Sequence, residues 1–180
     1  ISNLIIIILY SVNNNNFQIN DFSLIYNLII ITSIFLIFNI FSKNFKIFLG
    51  DSGSMLLGLL LGWLIIYYTS KEFYFHPVLA LWVITYPIFD FLTVFFRRLF
   101  YEGKNPMLSD KFHFHHLILS YYNSHKVISL FLNILSLLLG LFGLLIFNLF
   151  GSTICLISYL IMFVFYNIIY YRLFRSQNNS

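Results

Sequence analysis

Long apolar segments separated by short polar ones run through this chain. Five of the apolar segments approach the roughly 20 residues that a helix needs to cross the hydrocarbon core of a bilayer. These segments are Phe22 to Phe41, Ser52 to about Thr69, Pro77 to about Phe96, Val127 to Asn148 and Thr153 to Tyr171. Ile1 to Tyr10 is too short to span and is interpreted as the end of a helix that begins upstream. The pattern predicts an all-α polytopic membrane protein with about five full transmembrane helices plus that helix end.

The composition excludes a soluble domain. Hydrophobic residues make up 60% of the chain and charged residues 9%, whereas soluble domains carry roughly 25% charged residues. The single cysteine, Cys155, excludes an internal disulfide bond. The chain opens at Ile1 without a methionine or a signal peptide. We therefore expect residues 1–180 to form a single transmembrane domain, as the C-terminal fragment of a longer enzyme.

The basic residues indicate an orientation. With five spans, three polar segments share one side of the membrane: the loop before the second span, the loop between the third and fourth spans, and the C-terminal tail. Their basic residues are Lys43, Lys46, Arg97, Arg98, Lys104, Lys111, Lys126, Arg172 and Arg175. Only Lys71 falls on the other side. The positive-inside rule predicts that the basic side faces the cytoplasm.

The polar segment Lys46 to Ser54 carries one carboxylate, Asp51, between two glycines at the start of the second span. One interpretation is a helix N-cap, because Asp commonly accepts a backbone hydrogen bond at that position. The other is a phosphate or magnesium site, because a helix N-terminus favours anions and a carboxylate can share a magnesium ion with phosphate oxygens.

A second polar segment contains three histidines, His113, His115 and His116. Clustered imidazoles suit zinc or copper, although in a helix positions 113 and 116 share a face and 115 points nearly opposite. Incidental loop histidines are a second interpretation. The third is hydrogen-bond donation to a phosphate or a sugar, since imidazole titrates near neutral pH. Ser109 or Asp110 is expected to cap the helix that presents the histidines.

Asp90 lies inside the third predicted span. A carboxylate within the membrane is costly, so we expect either a functional group or a buried polar anchor to a neighbouring helix. Arg97 follows seven residues later, two turns along the same face. Arg97 and Arg98 are either interfacial anchors or ligands of a diphosphate, and Lys104 is a weaker candidate of the same kind.

Four motifs in order resemble those of the polyprenyl-phosphate N-acetylhexosamine-1-phosphate transferase family, of the glycosyltransferase family 4 type. They are Lys46-Ile-Phe-Leu-Gly-Asp-Ser-Gly-Ser, Pro87-Ile-Phe-Asp, Arg97-Arg98-Leu99 and Asp110-Lys111-Phe112-His113-Phe114-His115-His116-Leu117. The His-x-His-His form is closest to the undecaprenyl-phosphate GlcNAc-1-phosphate branch. The phospho-N-acetylmuramoyl-pentapeptide branch usually carries three consecutive histidines followed by Phe-Glu.

This resemblance implies magnesium-dependent transfer of an N-acetylhexosamine-1-phosphate from a UDP-sugar to a polyprenyl phosphate, releasing UMP. The implied place is the cytoplasmic face of the bacterial inner membrane, where the product initiates cell-envelope glycans such as lipopolysaccharide or cell wall. The implied partners are UDP-N-acetylhexosamine, the lipid phosphate and the membrane. A homodimer is allowed and no nucleic acid is expected.

The resemblance also assigns residues. Asp51 matches the magnesium aspartate and is the implied metal ligand and a catalytic residue, with Mg²⁺ as cofactor. His115 and His116 are further catalytic candidates, and the substrate-binding candidates are His113, His115, His116, Arg97, Arg98 and Lys104.

The chain departs from the family in one respect. The family carries an aspartate pair and an Asn-x-x-Asp motif in its N-terminal half, and neither occurs here. We expect them before Ile1, so this fragment should not catalyse turnover alone; otherwise the chain is inactive. The alternatives are a phospho-N-acetylmuramoyl-pentapeptide transferase of the same family, a metal-binding or transport protein that uses the histidine cluster with Asp90 on an ion path, and a noncatalytic membrane scaffold.

Overall fold

The computed structural model describes residues 1–12, 23–41, 49–70, 76–105, 112–120 and 124–178. Within these ranges every regular element is a helix. The helices are α1 (Ser2–Val12), α2 (Ser23–Phe41), α3 (Gly50–Ser70), α4 (Pro77–Val83), α5 (Thr85–Phe96), α6 (Phe114–Leu119) and α7 (His125–Asn178). A π-helical turn, Arg97–Tyr101, follows α5. The predicted all-α class is confirmed.

Among the described residues, two helices, Gly50–Ser70 and His125–Gln177, are long and apolar enough to cross a membrane. Pro77–Val83 and Thr85–Tyr101 pass the same test together and would make a third span. Large apolar side chains on these helices are exposed, which suits a hydrocarbon solvent rather than water. The predicted integral membrane character is therefore confirmed, whereas the first predicted span, Phe22 to Phe41, corresponds to a shorter apolar helix that does not meet this test.

The chain divides into two compact units, Ile1–Val83 and Ile84–Ser180. In the first unit, α1 packs against α2, α3 and α4. Its Ile6, Ile7 and Tyr10 side chains are buried, so this short helix forms the core of its unit.

The third predicted span is two helices rather than one. The segment predicted as a continuous helix from Pro77 to about Phe96 is interrupted at Ile84, whose φ of −110° and ψ of 25° are not helical. The cause lies at Pro87, because proline has no amide hydrogen and its ring crowds the carbonyl four residues earlier. The prediction of one continuous helix was therefore wrong, although Pro87 is present in the sequence.

The last two predicted spans are the two arms of α7. A straight helix of its 54 residues would be about 80 Å long, far more than a bilayer needs. Gly151 breaks it with φ 80° and ψ −176°, values that residues with a Cβ rarely adopt. The Cys155 thiol lies 3.5 Å from the Gly143 carbonyl oxygen, whereas residues twelve apart in a straight helix are separated by about 18 Å. The chain therefore folds back at Gly151, between the fourth and fifth predicted spans.

In the second unit, α5 and α6 both pack against α7. The core of this packing is formed by Val94, Phe114, Leu117, Tyr170 and Phe174. Because Phe114 and Leu117 belong to α6, this core seats the histidine segment against the C-terminal arm of α7.

Candidate functional site

The histidine segment turns from extended chain into helix at His113. His113 has extended φ and ψ of −66° and 151°, and α6 begins at the next residue. Its ring stacks on that of His115, with centroids 5.8 Å apart. The rings of His115 and His116 follow at 4.1 Å. The opposite placement of residues 113 and 115 was expected only for a continuous helix, and it does not apply because position 113 precedes α6.

Asp90 of α5 holds this segment in place. Its Oδ2 lies 2.9 Å from Nδ1 of His113. Its Oδ1 accepts the backbone N–H of Phe114 at 2.8 Å and the hydroxyl of Tyr166 at 3.3 Å. Each of these donors offsets part of the cost of burying a carboxylate. The polar anchor that the sequence offered as one interpretation of Asp90 is therefore present.

The first turn of α6 is capped from outside its own segment. The residue at its N-cap position, His113, makes no side-chain capping bond; instead the Phe114 N–H is satisfied by Asp90. The capping residues predicted from the sequence, Ser109 and Asp110, lie outside the described residues. So do Lys46 and Lys111 of the recognised motifs.

Arg97 and Lys104 meet at a carboxylate that the sequence analysis did not single out. The Arg97 guanidinium forms an ion pair with Glu102, and Lys104 Nζ lies 3.0 Å from the other oxygen of Glu102. The π-helical turn explains this pairing, because its backbone bond joins Glu102 N–H to Arg97 C=O, five residues apart. In an α-helix, residues five apart lie about 140° round the axis from each other. No α-helical spacing rule could have paired them.

The Arg97 guanidinium is also enclosed by aromatic rings. It lies 5.2 Å from the ring centroid of Phe112 and 4.7 Å from that of Phe174. Arg97 is fully buried and Arg98 is nearly so. Asp90 and Arg97 thus contact the same segment, residues 112–114, as expected for two residues on one face. Phosphate binding by Arg97, Arg98 and Lys104 stays a prediction.

The C-terminal arm of α7 supplies a row of polar contacts to the histidine segment. The Tyr170 hydroxyl donates to the Phe112 carbonyl at 2.6 Å, and the Gln177 amide donates to the Leu117 carbonyl at 3.0 Å. The Tyr166 hydroxyl of the same arm donates to Asp90 instead. The sequence analysis missed these residues. Their signal was the helical spacing of polar groups along an otherwise apolar span.

The electrostatics of the segment favour a neutral His115. Burial lowers its pKa below the usual 6.5, and His116 lowers it further, against the opposing effect of the Asp90 carboxylate. A neutral imidazole has one N–H to donate and one nitrogen to accept a hydrogen bond. At neutral pH His115 is therefore suited to a directed hydrogen bond rather than to charge pairing.

A shared metal ion finds no support in the histidines. Among the described residues no three His, Cys, Asp or Glu side chains are grouped so that they could hold a metal ion. The metal-binding alternative thus lacks a ligand set in the described part of the chain.

Asp51 belongs to the first unit, where it lies in the first turn of α3 with its side chain exposed. It does not precede the helix as the N-cap interpretation required, since α3 begins at Gly50. Gly50 has a positive φ of 67°, which a residue with a Cβ rarely adopts. The Ser54 hydroxyl donates to the Asp51 carbonyl at 2.8 Å. One exposed carboxylate at a helix N-terminus fits Mg²⁺, which is commonly held by one or two carboxylates together with substrate phosphates and water.

Comparison with known proteins gives two kinds of match. Residues 1–69 match the family model described as glycosyl transferase family 4. The undecaprenyl-phosphate alpha-N-acetylglucosaminyl 1-phosphate transferase of Pasteurella multocida is 40% identical over 80 residues, which are 44% of this chain and 22% of that protein.

The protein of the same name from Escherichia coli K12 is 37% identical over 91 residues, 50% of this chain and 24% of that protein. The Haemophilus influenzae protein is 38% identical over 79 residues, 43% of this chain and 22% of its own length. The matched segment therefore spans less than a quarter of these relatives. No solved structure gives a significant match. These matches confirm the resemblance: residues 1–69 match glycosyl transferase family 4, and about half of the chain is similar to transferases of that group.

Proposed function

We propose that the protein transfers N-acetylglucosamine-1-phosphate from its UDP-sugar to undecaprenyl phosphate and releases UMP. The proposal is supported by the names of the relatives, which state the lipid phosphate and the transferred group. The observation that carries it is the gathered set of three imidazoles at the start of α6, of which His113 is paired with Asp90. A membrane protein is also suited to a lipid acceptor.

The histidine segment supplies the nucleotide-sugar contacts in this proposal. Phosphoryl transfer requires alignment and neutralisation of charge on non-bridging oxygens, while the attacking oxygen comes from the lipid phosphate. His113, just before α6, and His115 and His116, in its first turn, present ring nitrogens. His116 is exposed and the other two are partly exposed. Their ring nitrogens would form hydrogen bonds with the diphosphate or with the sugar.

Asp51 holds magnesium in this proposal. Bound magnesium would neutralise phosphate charge during transfer. The contribution of this chain is one exposed carboxylate in the first turn of α3, where the amide dipoles also favour anionic phosphate oxygens. The proposed setting is the cytoplasmic face of the bacterial inner membrane, since the basic residues cluster in the predicted loops of one side.

Membranes that contain the full-length protein test this proposal directly. They are supplied with labelled UDP-N-acetylglucosamine and undecaprenyl phosphate, and both lipid-linked product and UMP are measured. We expect transfer that EDTA abolishes and that added Mg²⁺ restores. Asp51→Asn should reduce transfer about 100-fold or more, because losing one group that stabilises transition-state charge commonly costs 10²–10³ in rate.

His76→Gln is the matched control for His116→Gln, because His76 is exposed and lies outside the motifs. We expect transfer to fall in the His116 variant and to persist in the control. Unchanged turnover in Asp51→Asn would refute the assignment of the metal ligand. Activity with UDP-N-acetylmuramoyl-pentapeptide instead of UDP-N-acetylglucosamine would favour the muramoyl-pentapeptide branch.

A further inference from the structure

The Asp90 carboxylate uses its two oxygens for different purposes. Oδ1 accepts the Phe114 N–H and the Tyr166 hydroxyl, which join α5 to α6 and α7. Oδ2 faces the imidazole of His113 at 2.9 Å. The first oxygen therefore serves the packing of helices, and the second contacts a residue of the candidate site.

The contact at Oδ2 determines where the proton of His113 resides. An ionised carboxylate has only acceptor oxygens, so a hydrogen bond at this distance requires the proton on Nδ1. In a neutral imidazole the other nitrogen, Nε2, then carries the lone pair. The hydrogen bond also holds the ring plane, as carboxylates do for histidines in catalytic triads and metal sites.

The orientation of His113 passes to the next histidine. The rings of His113 and His115 are stacked with an interplanar angle of 19°. Rotating His113 about its side chain would remove that stacking surface. Asp90 therefore influences two of the three imidazoles, although it touches one.

We propose that Asp90 is a positioning residue for the histidine segment. It holds the proton of neutral His113 on Nδ1 and fixes the ring against which His115 stacks. Its other oxygen accepts the backbone N–H of Phe114, the first residue of α6. The purpose of this arrangement, presenting ring nitrogens to a phosphate or sugar, rests on the proposed function. The pairing of Asp90 with His113 does not.

Asparagine at position 90 separates the two roles of the carboxylate. Its carbonyl oxygen can take the place of Oδ1 and keep the bonds from Phe114 and Tyr166. Its NH₂ group then takes the place of Oδ2. Because that group is only a donor, it cannot accept a hydrogen bond from Nδ1–H. Asp90→Asn should therefore preserve the helix contacts and move the proton of His113 to Nε2.

The experiment uses the full-length protein in nanodiscs, with ¹⁵N-labelled histidine and no substrate. Two-bond ¹⁵N–¹H correlation spectra at mildly alkaline pH distinguish the two neutral tautomers, and comparison with His113→Gln identifies the His113 signals. We expect the proton on Nδ1 in the wild type and on Nε2 in Asp90→Asn. Tyr166→Phe is the matched control, because it removes a donor to Oδ1 and leaves Oδ2 with His113, so its tautomer should match the wild type.

A wild-type His113 with its proton on Nε2 would overturn the proposal even if Asp90→Asn did not fold. An unchanged tautomer in Asp90→Asn would overturn it as well. Transfer assays add a second readout: Asp90→Asn should lower kcat/KM by about tenfold or more, the effect typical of losing an orienting carboxylate behind a histidine.

The two readouts separate this proposal from the proposed function. If the proton of His113 moves to Nε2 in Asp90→Asn while the rate of transfer is unchanged, the positioning role is refuted. A wild-type protein that transfers no sugar phosphate would refute the proposed function, while the tautomer comparison would still support or refute the Asp90–His113 pairing.

Discussion

Replacing Arg97 by alanine should destabilise the second unit by about 2–4 kcal/mol. Its guanidinium lies against two aromatic rings, at 5.2 Å and 4.7 Å, and a cation–π contact is worth about 0.5–1 kcal/mol when exposed and about 2 when desolvated. Arg97 is fully buried, so about 1–2 kcal/mol for each ring is appropriate. The lost ion pair adds little, because Glu102 keeps its second partner, Lys104.

The free energy of unfolding is measured by steric trapping or by titration with SDS in mixed micelles. Arg175→Ala is the matched control, because Arg175 is an exposed arginine in the same unit and exposed substitutions usually stay within about 0.5 kcal/mol. Arg97→Lys should recover only part of the loss, since lysine keeps the charge but not the planar group that stacks on the rings.

The same variant distinguishes the two interpretations of Arg97. If Arg97 holds Phe112 and Phe174 together, its substitution lowers the stability of the protein, whether or not substrate is present. If Arg97 instead binds the diphosphate of a substrate, its substitution raises KM for the UDP-sugar with little change in the stability of the protein. An Arg97→Ala loss no greater than that of Arg175→Ala would refute the stabilising role derived from the ring contacts.

Two further predictions concern the turn and the histidines. Gly151→Ala should cost about 1–3 kcal/mol, because its φ of 80° is strained for a residue with a Cβ; Gly58→Ala, in a helix with open space around it, is the control, and equal unfolding free energies of the two variants would contradict the strain. His115 has a folded pKa below its usual value, so the unfolded state binds the extra proton, and unfolding free energy should fall as pH drops through about 6.5. His115→Gln should weaken that dependence between pH 8 and pH 5.5, and an identical dependence in both proteins would refute it.

The spans were predictable because each membrane helix satisfies its own backbone within one segment of sequence. About 20 apolar residues are both the cause and the signal of such a helix. The turn at Gly151 was predictable for the same local reason. The break at Ile84 also has a local cause, Pro87. A continuous helix was predicted because the apolar length of the segment was given more weight than the proline.

The candidate site was predictable as a set of residue types but not as a geometry. The histidines and Asp90 stood out as polar groups in an apolar chain, and the ordered motifs resemble those of a known family. The sequence offered no sign that Asp90 would accept the Phe114 N–H at the start of α6. It also gave no sign of Glu102, whose pairing with Arg97 depends on a π-helical turn.

The sequence by itself determined the membrane class, the approximate spans and the identity of the polar groups, because these follow from hydrophobicity and from neighbours in the chain. Only the tertiary structure decided which polar groups meet. Asp90 and His113 lie 23 residues apart and Asp90 and Tyr166 76 apart, and no periodicity relates positions on different helices. These contacts arise because α5, α6 and the C-terminal arm of α7 pack their apolar faces together. The donors to the buried Asp90 carboxylate therefore come from the segments that surround it.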